Sequence, residues 1–242
     1  MEVTVGLALY INAVLFVAAA LLQITGFGFM MLAAPALVIV VSPQMTVPML
    51  VVVWLPLGVV MVWNLRHDVD GSILRCFSFP ALVGIPLGAL ILRDTDPQMM
   101  QRIIGAMMIV LALILQVKPG EPFRRELPWR MAAGAISGIL ASSTSVAGPP
   151  VVLLGLKQRW EPAVFRATLV TFFFVCSVAS LPFYWHLDLL EQATLELAAT
   201  AFPGVAAGYV TGTWVKGRVG GRSFRWLAMG VVTTGGLVAV LL

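Results

Sequence analysis

Two short polar segments, each inside a long apolar stretch, contain the residue types with which this chain could bind a ligand. The first segment reads Gln23-Ile24-Thr25-Gly26-Phe27-Gly28, and the second reads Ser142-Ser143-Thr144-Ser145-Val146-Ala147-Gly148-Pro149-Pro150. Hydroxyl and amide side chains donate hydrogen bonds, and glycine allows the backbone to approach a ligand closely. Such neutral donors are suited to an anion.

Each polar segment also predicts the start of a short helix. In the first segment this helix begins near Gly28, and in the second Gly148 suits the N-cap and Pro149 the first helical position. A helix N-terminus has unpaired N–H groups and a partial positive charge, so two facing N-termini would form an anion site. The predicted site residues are Gln23, Thr25, Gly26, Phe27, Gly28, Ser142, Ser143, Thr144, Ser145, Gly148 and Pro149.

Other site chemistry has little support in the sequence. Serines inside a membrane segment could act as nucleophiles, but no His or Lys lies in apolar sequence to activate them. His67 and His186 lie at segment ends, without a Cys or second His at ligand spacing. We therefore predict that the protein is not an enzyme and holds no metal or other cofactor.

The two polar segments occupy equivalent places in an internal repeat. Shifting the second half back by 119 residues aligns Ala147 with Gly28 and His186 with His67. Interrupted hydrophobic segments at corresponding positions of two halves are typical of the binding site of a transporter. The alternative is that these small residues only allow close helix packing, which explains the Ser-Ser-Thr-Ser run less well.

The composition is that of an integral membrane protein. Apolar residues make up 60% of the 242 residues and charged residues 11%, with a mean hydropathy of +0.98. A soluble domain has roughly twice that share of charge. Uninterrupted apolar runs of spanning length lie near Val47–Asn64, Ile73–Leu92, Met99–Val117, Ala163–Trp185, Leu189–Trp214 and Phe224–Leu242. The net charge of +4 reports topology and does not indicate nucleic acid as a partner.

The positive charges distinguish two topologies. If each interrupted segment is a re-entrant hairpin, thirteen of the fifteen Lys and Arg residues lie on one side, and only Arg93 and Arg102 lie on the other. If both segments cross the bilayer, the split is nine to six. Because positive residues concentrate on the cytoplasmic side, the hairpin topology is favoured.

The predicted fold is therefore an all-α polytopic membrane protein. It has two inverted repeats, each with a broken re-entrant helical hairpin and three transmembrane helices, because a hairpin plus three crossings reverses the second copy. Residues 1–117 form the first repeat, 118–130 a cytoplasmic connector and 131–242 the second repeat. Both termini are expected on the outer side, and the hairpin tips are expected to meet near the midplane of the bilayer.

Charged groups inside the spans are scarce. The Asp and Glu residues border loops, and Glu196, the deepest of them, is expected to face water near the outer surface. A proton relay usually places ionisable groups within the span, so no proton carrier is evident. Arg166 begins a segment at the cytoplasmic side, where snorkelling to lipid headgroups is its default role; it is also a secondary candidate for the site.

These motifs resemble the sulfite exporter TauE/SafE family, also called the four-toluene-sulfonate uptake permease family. The resemblance rests on the duplicated unit, on Gly-x-Gly in the first hairpin, on Gly-Pro-Pro in the second, and on the sequence at Arg166–Leu169. Family members tend to read Gly-x-Gly-Gly at both tips, where this chain has Gly26-Phe27-Gly28-Phe29 and Ser145-Val146-Ala147-Gly148. The resemblance implies transport of sulfur oxyanions or organosulfonates, such as sulfite, thiosulfate or sulfoacetate.

The expected function is export of a small sulfur-containing anion by a multi-pass protein of the bacterial inner membrane. The alternative is a proton- or sodium-coupled uptake permease for a different small organic anion, and a third class is a membrane assembly subunit. The expected partners are this anion and the lipid bilayer, with a homodimer left open as the assembly.

Overall fold

Helices account for nearly all of the regular structure in the part of the chain that the structure, a computed structural model, describes. That part comprises residues 5–25, 28–116, 121, 123 and 126–215, with the backbone only at 24, 25, 111, 112 and 114–116. In chain order its helices are α1 (Val5–Thr25), α2 (Phe29–Leu37), α3 (Pro43–Leu65), α4 (Gly71–Asp94), α5 (Pro97–Gln116), α6 (Glu126–Thr144), α7 (Gly148–Lys157), α8 (Pro162–His186) and α9 (Gln192–Val215).

The predicted apolar runs correspond to α3, α4, α5, α8 and α9, while the last predicted run, Phe224–Leu242, lies outside the described residues. Among the described residues, four segments are long and apolar enough to cross a membrane: Val5–Gln23 of α1, and the whole of α3, α4 and α8. The chain is thus an all-helical multi-pass membrane protein. Helix α6 begins at Glu126, so the last residues of the predicted connector 118–130 are helical.

Local signals explain several helix starts. Pro43 and Pro162, which the internal repeat aligns, are the first residues of α3 and α8. Proline is favoured there because its fixed φ suits the helix and its missing N–H would have no partner. Asp70 caps α4, since its carboxylate accepts hydrogen bonds from the backbone N–H groups of Ser72 and Ile73 at 2.8 and 3.0 Å.

Helix α6 packs tightly along α4, and the two helices run in the same direction. Gly134 lies against the backbone of Phe77, and Gly138 lies against the backbone of Ala81. One turn further on, α6 still follows α4 in the same order, with residue 142 beside residue 85. Glycine allows this close approach because it has no side chain to separate the two backbones.

Helix α1 packs along α9 in the same way. Gly204, Gly208 and Gly212 lie in turn against the backbone of residues 12, 16 and 20. The Asn12 amide joins the two helices: it donates to the Thr200 carbonyl at 2.8 Å and accepts from the Gly204 N–H at 2.7 Å. Each helix that leads into a polar break therefore packs beside a helix of the other half of the chain.

The core lies between these two pairs of helices, where α3 and α8 pack against each other. Helix α3 is buried along much of its length, with residues such as Met49, Leu50 and Val53 fully enclosed. In α8, Phe172 is fully buried and contacts Phe77 of α4, with ring centroids 5.8 Å apart. Both polar breaks are held against this central pair of helices.

Candidate substrate-binding site

The first predicted hairpin consists of α1, a break and α2. The backbone of Gly28 has φ 113°, a left-handed conformation that glycine adopts without strain, and α2 begins at the next residue. The ends of the two helices meet, because the Tyr10 hydroxyl near the start of α1 donates to the carbonyl of Ala36 near the end of α2, at 2.9 Å. We call residues 28–31 the first tip.

The second predicted hairpin consists of α6, a break and α7. Ser145 follows α6 with φ 59°, an uncommon backbone conformation for a residue other than glycine. The ends of this hairpin also meet, because the indole N–H of Trp160 donates to the carboxylate of Glu126, the first residue of α6, at 3.4 Å. We call residues 144–148 the second tip.

The second tip lies inside the bundle. Ser142 in the last turn of α6 is level with Ile85, and α4 continues from Ile85 to Asp94, a rise of about 14 Å. A break in the helix at this depth is tolerated only where protein or water satisfies the backbone. The groups that the second tip faces therefore decide what this break can bind.

The two tips face each other across one cavity. The cavity has a volume of about 40 Å³. The described residues that line it carry no charge: Leu22, Gly28, Phe29, Met30, Met31, Trp54, Ala141, Ser145, Ala147, Gly148, Val170, Phe173, Cys176 and Ser177. Described residues of both segments that the internal repeat aligns therefore line the same cavity.

Helix α2 begins at this cavity. Its first internal hydrogen bond runs from the Leu32 N–H to the Gly28 carbonyl, at 3.0 Å. The N–H groups of Phe29, Met30 and Met31 therefore have no partner within the helix, and all three residues line the cavity. An anion is the ligand that such an N-terminus favours.

Helix α7 presents fewer donors than α2. It begins at Gly148 with Ala147 as the N-cap, one residue earlier than predicted, so Pro149 is its second residue. Pro149 and Pro150 have no N–H to offer, and Pro149 is buried away from the cavity wall. Gly148 itself lines the cavity.

Three of the predicted hydroxyl donors belong to the last turn of α6 and bond to backbone carbonyls. Ser142 donates to the Ile85 carbonyl at 2.7 Å, Ser143 to the Ile139 carbonyl at 2.8 Å and Thr144 to the Leu140 carbonyl at 2.8 Å. These hydroxyls do not line the cavity. Serine and threonine commonly bond to a carbonyl one turn back when they lie inside a helix.

The remaining polar candidates differ in their placement. Ser145 lines the cavity, and its hydroxyl donates a long hydrogen bond of 3.3 Å to the Val47 carbonyl. Gln23 is buried beside Gly212 of α9, and within the described part of the chain its amide nitrogen has no partner. Gly26, Phe27 and the side chain of Thr25 lie outside the described residues.

Arg166 lies on the face of α8 that leads to the cavity, although it is not part of the cavity wall. The cavity-lining residues Val170, Phe173 and Ser177 follow it at spacings of four, three and four residues, which places all four on one face of the helix. The Arg166 side chain is half-buried, and its Nε has no partner among the described residues.

Trp54 is a cavity residue that the sequence reasoning missed. Tryptophan is enriched at membrane interfaces, and most of the seven tryptophans lie near the predicted ends of the spans. Trp54 lies at the centre of α3, is only 3% exposed, and its ring stacks on Phe29 of the first tip. Its position in the middle of the apolar run Val47–Asn64 was the available signal.

Comparison with known proteins identifies the family. Searches of curated proteins and of solved structures found no significant match. The family model described as sulfite exporter TauE/SafE matches residues 11–239 of the 242-residue chain, which includes both tips and every described residue of the cavity wall. The chain therefore belongs to the sulfite exporter TauE/SafE family.

Proposed function

We propose that the protein exports a small sulfur-containing anion, such as sulfite or an organosulfonate, from a site between its two hairpin tips. The observation that carries this proposal is that Gly28–Met31 border the same cavity as Ser145, Ala147 and Gly148. The first N–H groups of α2, which have no partner within the helix, would donate hydrogen bonds to an oxyanion. The described residues of the wall carry no charge, so they would not bind the anion too tightly for its release. Membership of a family of membrane exporters supports transport rather than catalysis.

We further propose that both tips belong to re-entrant hairpins. The contact of Tyr10 with Ala36 supports this for the first hairpin, because it joins the start of α1 to the end of α2. The contact of Trp160 with Glu126 supports it for the second, because it joins the segment after α7 to the start of α6. A helix pair that crossed the membrane would have these ends on opposite faces.

The directions of the helices support the inverted repeat. If α2 returns to the face where α1 entered, α3 runs parallel to α1. Gln44 at the start of α3 donates to the Leu92 and Thr95 carbonyls at the end of α4, so α3 and α4 are antiparallel. Because α6 is parallel to α4, it is antiparallel to α1, its counterpart in the other repeat.

Alternating access to the site would then use the same hairpins. The first tip is reached from one face of the membrane and the second from the other, so movement at one tip at a time would open the cavity to one side. We place the protein in the bacterial inner membrane, and the distribution of positive charges favours a second hairpin that enters from the cytoplasm.

Solute flux in proteoliposomes tests the proposed function. Purified protein is reconstituted, vesicles are loaded with 35S-labelled sulfite, and release is compared with that from protein-free vesicles. We expect saturable release that unlabelled sulfite and small organosulfonates inhibit. Release equal to that of protein-free vesicles for every sulfur anion would contradict the proposal. Uptake only in the presence of a proton or sodium gradient would favour the coupled permease.

A further inference from the structure

The proposed anion site is short of hydrogen-bond donors at the second tip. The first three N–H groups of α2, at the cavity, have no partner within the helix, whereas two of the first three residues of α7, Pro149 and Pro150, have no N–H. The hydroxyls of residues 142–144 already donate to carbonyls. An oxyanion with several acceptor oxygens would need donors from another part of the wall.

Trp54 is placed to supply one of these donors. It lines the cavity together with both tips, and only 3% of its surface is exposed. Its Nε1 has no hydrogen-bond partner within the described part of the chain. An indole nitrogen can only donate, and buried indole N–H groups usually have a partner. An acceptor that enters the cavity would give this N–H a partner.

The Trp54 ring is also held in place. It stacks on Phe29, the first residue of α2, with ring centroids 5.8 Å apart and planes inclined at 28°. This contact fixes the ring beside the N-terminus of α2, whose first N–H groups have no partner within the helix. A donor held in position before the ligand binds loses little entropy on binding.

We propose that the indole N–H of Trp54 donates a hydrogen bond to an oxygen of the transported anion. This inference rests on the proposed function and adds a binding residue from α3 to the two tips. The wall then offers donors on two sides, from α2 and from Trp54, while Met30, Val170 and Phe173 provide apolar contacts.

Two replacements separate the N–H from the ring. Trp54→Phe keeps an aromatic ring beside Phe29 and removes the N–H. Incorporation of benzothienylalanine at position 54 keeps the two-ring shape and replaces the N–H by sulfur. Trp63→Phe is the matched control, because Trp63 lies on the same helix and is 68% exposed. The measurement is equilibrium binding of 35S-labelled sulfite to the purified full-length protein.

If Trp54 is a donor, both replacements at position 54 raise the Kd for sulfite about tenfold, as expected for one lost hydrogen bond to an anion. Trp63→Phe leaves the Kd unchanged. Wild-type affinity with benzothienylalanine overturns the inference and leaves the proposed function intact, because the ring alone would then matter. Absence of binding of any sulfur anion to the wild-type protein overturns the proposed function, and this inference with it.

Discussion

The terminal methyl group of Met31, in α2, occupies the space that a side chain at Gly148, the first residue of α7, would need. These residues come from opposite halves of the chain and both line the cavity. A glycine at the start of α7 is thus what allows the two tips to approach each other. The contact also makes the role of the cavity testable by changing the size of one residue.

Gly148→Leu should abolish sulfite flux, because a branched side chain would overlap Met31 and fill a cavity of only about 40 Å³. Gly148→Ala should retain much of the flux, since the end of the Met31 side chain can move aside. Gly6→Leu is the control, because a side chain there meets nothing within 4 Å. Full flux through Gly148→Leu in proteoliposomes would show that the tips only pack.

A second prediction compares two neighbouring serines. Ser145 lines the cavity and its hydroxyl makes a long hydrogen bond, whereas the Ser143 hydroxyl is bonded to its own helix at 2.8 Å. Ser145→Ala should therefore raise the Kd for sulfite several-fold, as expected for a lost neutral donor of about 1 kcal/mol. Ser143→Ala should leave the Kd within twofold of wild type. The reverse order of effects would place the anion elsewhere.

The positions of the helix breaks could be predicted from the sequence, but the exact end of α6 could not. The helix breaks were predictable, because Gly28 and the Gly-Pro-Pro at 148–150 favour a helix start, and helices do begin at Phe29 and Gly148. The length of α6 was not predictable, because serine and threonine at 142–144 can either end a helix or donate to a carbonyl one turn back within it. The packing of α6 along α4 favours the helical conformation of these residues.

Trp54 illustrates a different limit. A tryptophan in an apolar run has the same sequence signature whether it anchors the interface, contacts another helix or lines a cavity. The choice depends on which neighbours surround α3, and those neighbours come from α2 and α8, distant in the sequence. Arg166 shows the same limit. Its spacing of four residues from Val170 is informative only when Val170 is known to line the cavity.

The sidedness of the two repeats gives a third prediction. In the proposed inverted topology, the N-terminus is on the outer side and the connector is cytoplasmic, because thirteen of the fifteen Lys and Arg residues then lie inside. Single cysteines at Val3 and Gly120, in a background without Cys76 and Cys176, should react with a membrane-impermeant maleimide from opposite sides. Labelling of both from the same side of intact cells would contradict the inverted repeat.

The last prediction concerns the driving force, and it follows from where the carboxylates lie. Glu196 is the carboxylate that the sequence places deepest in a predicted span. It is exposed in the second turn of α9 and accepts a hydrogen bond from Gln192 at 2.8 Å. It is not part of the cavity wall, and the described residues of that wall include no carboxylate. We therefore expect export without a coupled proton or sodium ion.

Export of an anion needs no coupling ion, because the cell interior is negative. Moving one negative charge outward gains about 2.3 kcal/mol per 100 mV, which sustains a gradient of about fiftyfold. In proteoliposomes with a potassium potential set by valinomycin and no pH or sodium gradient, sulfite flux should follow the potential and reverse with its sign. Flux that appears only when a proton or sodium gradient is imposed would contradict this, and Glu196→Gln would then test whether Glu196 carries the coupled ion.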